Sequence, residues 1–196
     1  MAKDQPDPPP ADAAELRRRA DQDPYLDAAV EMMLIEWSGV LPELDQGVKA
    51  IVARVARIDS RIRVATAAVL RRHALLDNEF RLLAGLMRGG PPYRRSPSEL
   101  APRYVPVTSG GLTGIAHRLE RRGLIRRVAH GSDQRVVLIE LTREGRALAR
   151  QAMEGFAEVE QRLLGGLSKA EREEGNLFLR KLLRSIEQSI LSSYPE

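Results

Sequence analysis

Hydrophobic positions recur at helical spacing along most of the chain, switch once to strand spacing, and return to helical spacing. Residues 1–10 carry four prolines and no apolar period, which reads as a disordered arm. Residues 11–20 are rich in Ala, Leu and Arg and read as a short helix. Pro24 opens a second helix with Leu26, Val30, Met33, Leu34 and Trp37 on one face, and Pro42 interrupts it. A long helix is expected over residues 43–74. Its Ile51, Val55, Ile58, Ile62, Ala65 and Val69 step by four and three residues, a heptad-like seam. Two readings of that seam are open: it faces its own domain, or it packs against a long helix of another chain.

The middle of the chain is punctuated more densely. Asp77 is positioned to cap a helix through Phe80, Leu83, Leu86 and Met87, which stops at Gly89-Gly90-Pro91-Pro92. Ser96-Pro97-Ser98-Glu99 is a capping box with proline at the first helical position, and its helix ends before Pro102. Another helix starts at Thr108 or Ser109, runs to Arg122 and ends at Gly123. Residues 124–128 then read as a strand, 130–133 as a turn, and 136–141 as a second strand: a hairpin with a basic, Gly-containing tip. Thr142 caps a helix over residues 143–164, Gly165-Gly166 breaks it, and Ser168-Lys169-Ala170-Glu171 is a second capping box. The last helix has Phe178, Leu182, Leu183, Ile186 and Ile190 along one stripe.

The fold class that follows is mainly α with a small β-hairpin wing. Residues 1–10 are an arm, 11–76 N-terminal helices, 77–142 a winged helix-turn-helix, and 143–196 C-terminal helices. The long terminal helices have too little of their own domain to cover their apolar stripes, so a homodimer is expected, held by both terminal regions.

Composition narrows the function. Aromatics are 4% of the 196 residues, so aliphatic side chains must fill the core. A net charge of +4 permits a polyanionic partner without demanding one. With no cysteine there is no disulfide, thiolate metal site or thiol redox sensor. The three histidines, His73, His117 and His130, form no close ligand pair, so no metal or cofactor is expected. No nucleotide, metalloprotease or nucleophile-elbow motif stands in its required context, so the chain reads as no enzyme. There is no signal-peptide pattern and no run long enough to span a bilayer, so a cytoplasmic protein without membrane contact is expected.

FRLLAGLMRGG, SPSELA, SGGLTGIAHRLERRGLIRR and SDQRVVLIELTREGRALA together resemble the MarR family of winged helix-turn-helix transcription factors. The most specific part is Asp133-x-Arg135, then Leu141-Thr142, then Gly145, which matches the family's wing signature in spacing. IEWSGVLPELD, GPPY and SGG further resemble its actinobacterial, urate-responsive branch, which has an extra N-terminal helix carrying a tryptophan. The resemblance implies a regulator, commonly a repressor, that binds a pseudo-palindromic operator in double-stranded DNA and responds to a small anionic or aromatic effector.

In such a protein the helix from Thr108 enters the major groove by its N-terminal end. Thr108 and Ser109 offer hydroxyls and helix-terminal N–H groups to a phosphate. Gly110 and Gly111 let backbone approach DNA. Leu112, Ala116 and Leu119 face inward, which leaves Thr113, Gly114 and His117 toward the groove. Arg118, Arg121 and Arg122 are candidates for phosphates or for internal salt bridges. Arg94, Arg95 and Ser96 are placed for backbone phosphates. The resemblance sends Arg135 into the minor groove, with Asp133 orienting it or the wing backbone.

Two departures stand out. The branch tends to have Asn where Gly114 stands and Arg where Ile115 stands; both changes reduce polar base contact, so its operator does not carry over. Its effector pocket uses a tryptophan, an aspartate and two arginines. Trp37 and Arg127 match, but the aspartate position holds Arg81 and the second arginine position Ile115. A urate response is therefore not expected. A different anion held by Trp37, Arg81 and Arg127 is, unless Trp37 is a plain core or interface aromatic. The alternative to a regulator is a winged-helix dimerisation module without specific DNA binding.

Overall fold

The computed structural model describes residues 26–101, 104–129 and 137–193. The chain divides into two units, residues 1–64 and 65–196. The arm, the helix expected over 11–20 and the hairpin tip with Asp133 and Arg135 lie outside the described residues.

In the first unit, α1 (Ala28–Val40) starts where the Asp27 carboxylate accepts the Ala29 N–H at 3.3 Å. It thus opens at Ala28, four residues beyond the expected Pro24. Of its expected apolar face only Val30 is buried. Trp37 is 39% exposed, with the Lys49 ammonium 5.7 Å from its ring centre. The long helix α2 (Gln46–Arg72) begins three residues later than expected, because the Asp45 carboxylate accepts the Val48 N–H at 2.9 Å. Within the chain the seam residues Ile51, Val55, Ile58 and Ile62 are exposed.

The second unit is built on α3 (Asp77–Met87), where Leu82, Leu83 and Leu86 are fully buried. Asp77 is the first helical residue, not the cap. The Glu79 carboxylate takes the Leu76 N–H at 3.1 Å, which frees Asp77 to pair with Arg81 at 2.6 Å. Helix α4 (Pro97–Leu100) carries the expected capping box: Ser96 Oγ accepts the Glu99 N–H at 3.3 Å, and Glu99 accepts the Ser96 N–H at 2.8 Å. The Ser96 N–H and the Ser96 hydroxyl, which also donates to Glu99 Oε2 at 2.8 Å, hold the Glu99 carboxyl below its ordinary value, with the nearby Arg95 charge adding a smaller effect. Helix α5 (Ser109–Arg121) has Thr108 at its cap and Gly123, at φ +68°, just past its end.

The sheet has three strands where two were expected. Strands β1 (Arg94–Arg95), β2 (Ile125–Ala129) and β3 (Val137–Leu141) are ordered β1-β3-β2, all antiparallel. Arg94 pairs with Glu140, and Ile125 with Leu141. Two residues cannot show a period of two, so β1 is invisible to pattern reading. Behind the sheet, α6 (Arg143–Leu163) buries Ala149 and Ala152, and its Phe156 stacks on Phe80 at 4.4 Å. Gly155 faces Val69 so closely that a Cβ would lie 2.9 Å from it. Helix α7 (Lys169–Ser193) opens on the Ser168–Glu171 capping box and leaves Phe178, Leu183, Ile186 and Ile190 exposed.

Candidate DNA interface

Helix α5 is amphipathic by construction. Leu112, Ile115, Ala116 and Leu119 recur at the i, i+3, i+4, i+7 spacing and are all buried. Ile115 therefore belongs to the core. An isoleucine there removes no base contact from this chain, which corrects that part of the sequence reading. The opposite face is exposed and carries Gly110, Gly111, Thr113, Gly114, His117, Arg118 and Arg121.

Two glycines of that face, Gly110 and Gly114, separate from those the fold requires, whereas a Cβ at Gly111 would lie 3.3 Å from Val107 and 3.4 Å from Thr108. A Cβ added at Gly110 would meet nothing within 4 Å, and at Gly114 only an Arg118 nitrogen at 3.9 Å. By contrast, a Cβ at Gly145 would lie 1.9 Å from the Leu124 carbonyl oxygen. Gly145 is part of the joint between sheet and α6. Thr142 Oγ1 donates to the Gly123 carbonyl at 2.7 Å and accepts the Gly145 N–H at 3.0 Å, while the Thr142 N–H donates to Leu124. The Leu141-Thr142 and Gly145 portion of the wing signature thus has a structural explanation inside the chain. Thr108 Oγ1 likewise accepts the Gly111 N–H at 3.2 Å, which leaves its O–H to donate elsewhere. Ser109 opens the helix.

The arginines sort into inward and outward groups. Arg118 Nε donates to Glu79 Oε1 at 3.0 Å. Arg122 Nη1 donates to the Ala74 carbonyl at 2.8 Å and lies 3.4 Å from Glu79 Oε2. Of the two roles open to Arg118 and Arg122, the structure shows the internal one. Arg95 also turns in: its guanidinium lies 5.2 Å from the Tyr104 ring centre, beside Arg88 at 4.6 Å. Ser96 is occupied at the α4 cap. Arg94 is exposed on the edge strand.

Within the second unit, Arg81 and Arg127 line different cavities. Arg127 lies 3.4 Å from Glu120 and lines a cavity of about 340 Å³ with Leu112, Thr113, Ala116 and Ile139, between α5 and the β2–β3 pair. Arg81 lines a different cavity, of about 330 Å³, with Phe80, Arg88, Tyr104 and Phe156. Trp37 belongs to the first unit. Among the described residues no cluster of three His, Asp or Glu suits a metal ion, and no helix is long and apolar enough to cross a membrane.

Sequence reasoning passed over Glu79. The signal was present: Glu79, Leu82, Leu83 and Leu86 share one stripe, and a carboxylate on a buried stripe requires cationic partners. Arg88 and Tyr104 were missed because nothing local ties Tyr104 to α3.

No protein-family model matches the chain. The HTH-type transcriptional regulator PecS of Dickeya dadantii is 32% identical over 158 residues, which cover 81% of this chain and 92% of PecS. The structure of NadR in complex with 4-hydroxyphenylacetate is 26% identical, with a TM-score of 0.56, and covers 69% of this chain and 91% of its own. A mutant MarR from E. coli complexed with operator DNA shares the fold at a TM-score of 0.59 and 21% identity, over 75% of this chain and 97% of its own. With a regulator matched almost end to end, and the exposed α5 face and the antiparallel β2–β3 pair in place, the chain belongs to the MarR family of helix-turn-helix transcriptional regulators.

Proposed function

We propose that this chain is a repressor that binds a pseudo-palindromic operator as a homodimer, with α5 in the major groove and the wing in the minor groove. The observation that carries this reading is the outward face of α5. Among the described residues nothing packs closely on Gly110 or Gly114, so their lack of side chains suits close approach by a partner. Thr113 and His117 stand on the same face and supply polar groups for base edges. Thr108, Ser109 and Arg94 provide phosphate contacts, and Arg135, oriented by Asp133, reads minor-groove potential. Arg118, Arg95 and Ser96 act through the protein first, because each is engaged inside it.

The exposed seams on α2 and α7 favour the dimer. A chain that leaves Ile51, Val55, Ile58, Phe178, Ile186 and Ile190 to solvent has more apolar surface than a monomer normally shows. A dimer also presents two α5 helices, as a palindrome requires. For the effector, the cavity beside Arg81 is lined by Phe80, Tyr104 and Phe156. Its Arg81 and Arg88 are set against the carboxylates of Asp77 and Glu160, and Asp77 already pairs with Arg81 at 2.6 Å. This lining suits a small aromatic ligand more than a bare anion. Within the branch that the tryptophan-bearing helix suggests, Arg81 in place of an aspartate argues against urate.

Selection of bound duplexes from a random-sequence library tests the reading. Enrichment of an inverted repeat, with affinity falling steeply as salt rises, is the expected result. Equal recovery of all sequences favours the dimerisation-module alternative.

A further inference from the structure

We infer that Glu79 is a positioning residue for DNA recognition: it holds Arg118 and Arg122 against α3, sets the rotation of α5, and withholds the Arg118 cation from the DNA backbone. This rests on the reading that α5 enters the groove.

Glu79 is 3% exposed, one of two buried polar side chains among the described residues. Both of its oxygens are engaged. Oε1 accepts from Arg118, and Oε2 accepts from the Leu76 N–H with Arg122 within 3.4 Å. Arg122 then reaches the Ala74 and His73 carbonyls in the turn before α3. One carboxylate therefore ties the start of α3, the α2–α3 turn and the last turn of α5. Hydrophobic packing of Leu112, Ile115, Ala116 and Leu119 fixes which face of α5 is inward but tolerates small rotations. A directional, charge-assisted bond from Arg118 does not.

The arrangement also has an electrostatic consequence. Arg118 stands on the exposed half of α5, one turn beyond Gly114, where a free guanidinium would reach a phosphate of any sequence. Held by Glu79, it adds nothing to that sequence-independent attraction, and discrimination is left to the N-terminal half of the helix. A buried carboxylate is costly to desolvate, and an apolar residue would pack there without that cost.

The test compares wild type with Glu79→Gln, which keeps the size and the acceptor for Leu76 but removes the charge. The probes are the duplex that wild type selects from a random library and a scrambled duplex of equal length. A freed Arg118 should raise affinity for the scrambled duplex about tenfold at low salt and steepen the salt dependence by about one counterion, while Arg122 stays on the Ala74 and His73 carbonyls. The preference for the selected duplex should fall about tenfold. Equal changes on both duplexes with an unchanged salt slope, as a simple folding defect gives, overturn the proposal; so does no change at all. Arg118→Ala, at a half-exposed site, decides the matter if Glu79→Gln does not fold. The expected result is a wild-type salt slope with reduced discrimination. A slope shallower by about 0.9 places Arg118 on a phosphate and overturns it. If wild type enriches no duplex, this inference falls together with the proposed function; if wild type discriminates and the variants do as well, this inference alone falls.

Discussion

Two regions of the second unit use glycine in opposite ways. At the joint of sheet and α6, Gly145 lies against the Leu124 carbonyl, and any side chain there collides with backbone. At the start of α5, Gly110 and Gly114 face open space, in a helix that pays in stability for each glycine it carries. The first region spends glycine on its own packing. The second gains nothing internal from it. A residue that weakens a helix without serving the fold points to something outside the chain, and in this family that is DNA.

The comparison can be broken from either side. Gly145→Ala should have the largest effect: overpacking against backbone should cost at least about 3 kcal/mol in urea denaturation. A variant as stable as wild type would show that the joint is not a close approach. Next is Arg135→Ala, which should leave stability within about 0.5 kcal/mol and lower the salt slope of operator binding by about one. An unchanged slope removes the wing arginine from the DNA. Ser96→Ala should cost about 1 kcal/mol through the α4 cap, read from thermal melts.

The smallest effect is on pH. The Glu99 carboxyl is held below its ordinary value of 4.5 by bonds from Ser96. A lowered folded value means stabilisation that is complete above the ordinary value and disappears as pH falls through the lowered one. Melting temperatures of wild type and Glu99→Gln should therefore converge below pH 4.5, by a small amount because Glu99 is exposed. Parallel curves down to acid would contradict the cap's contribution.

Much of this molecule was legible in the sequence because its signals are local. The capping boxes at Ser96 and Ser168, the Thr108 and Thr142 caps and the Gly123 stop each act within four residues, and each stands where it was expected. What was not legible depends on distant partners. Asp77 lost its cap role to Glu79, whose carboxylate is fixed in place by two arginines 39 and 43 residues away. Strand β1 exists only through its pairing with β3. Arg95 reads as a surface cation until Tyr104 folds against it. Ile115 reads as a lost polar contact when set against the branch's arginine, although its place in the Leu112–Leu119 stripe is enough to put it in the core.

The central claim is that the outward face of α5, and Gly110 and Gly114 in particular, is shaped for DNA and not for the fold. Gly114→Ala tests it most directly, with stability and affinity for the selected duplex measured on one preparation. The account predicts a gain of about 0.5–1 kcal/mol in stability and a loss of about tenfold in affinity. A variant that is more stable and binds as well as wild type would contradict it.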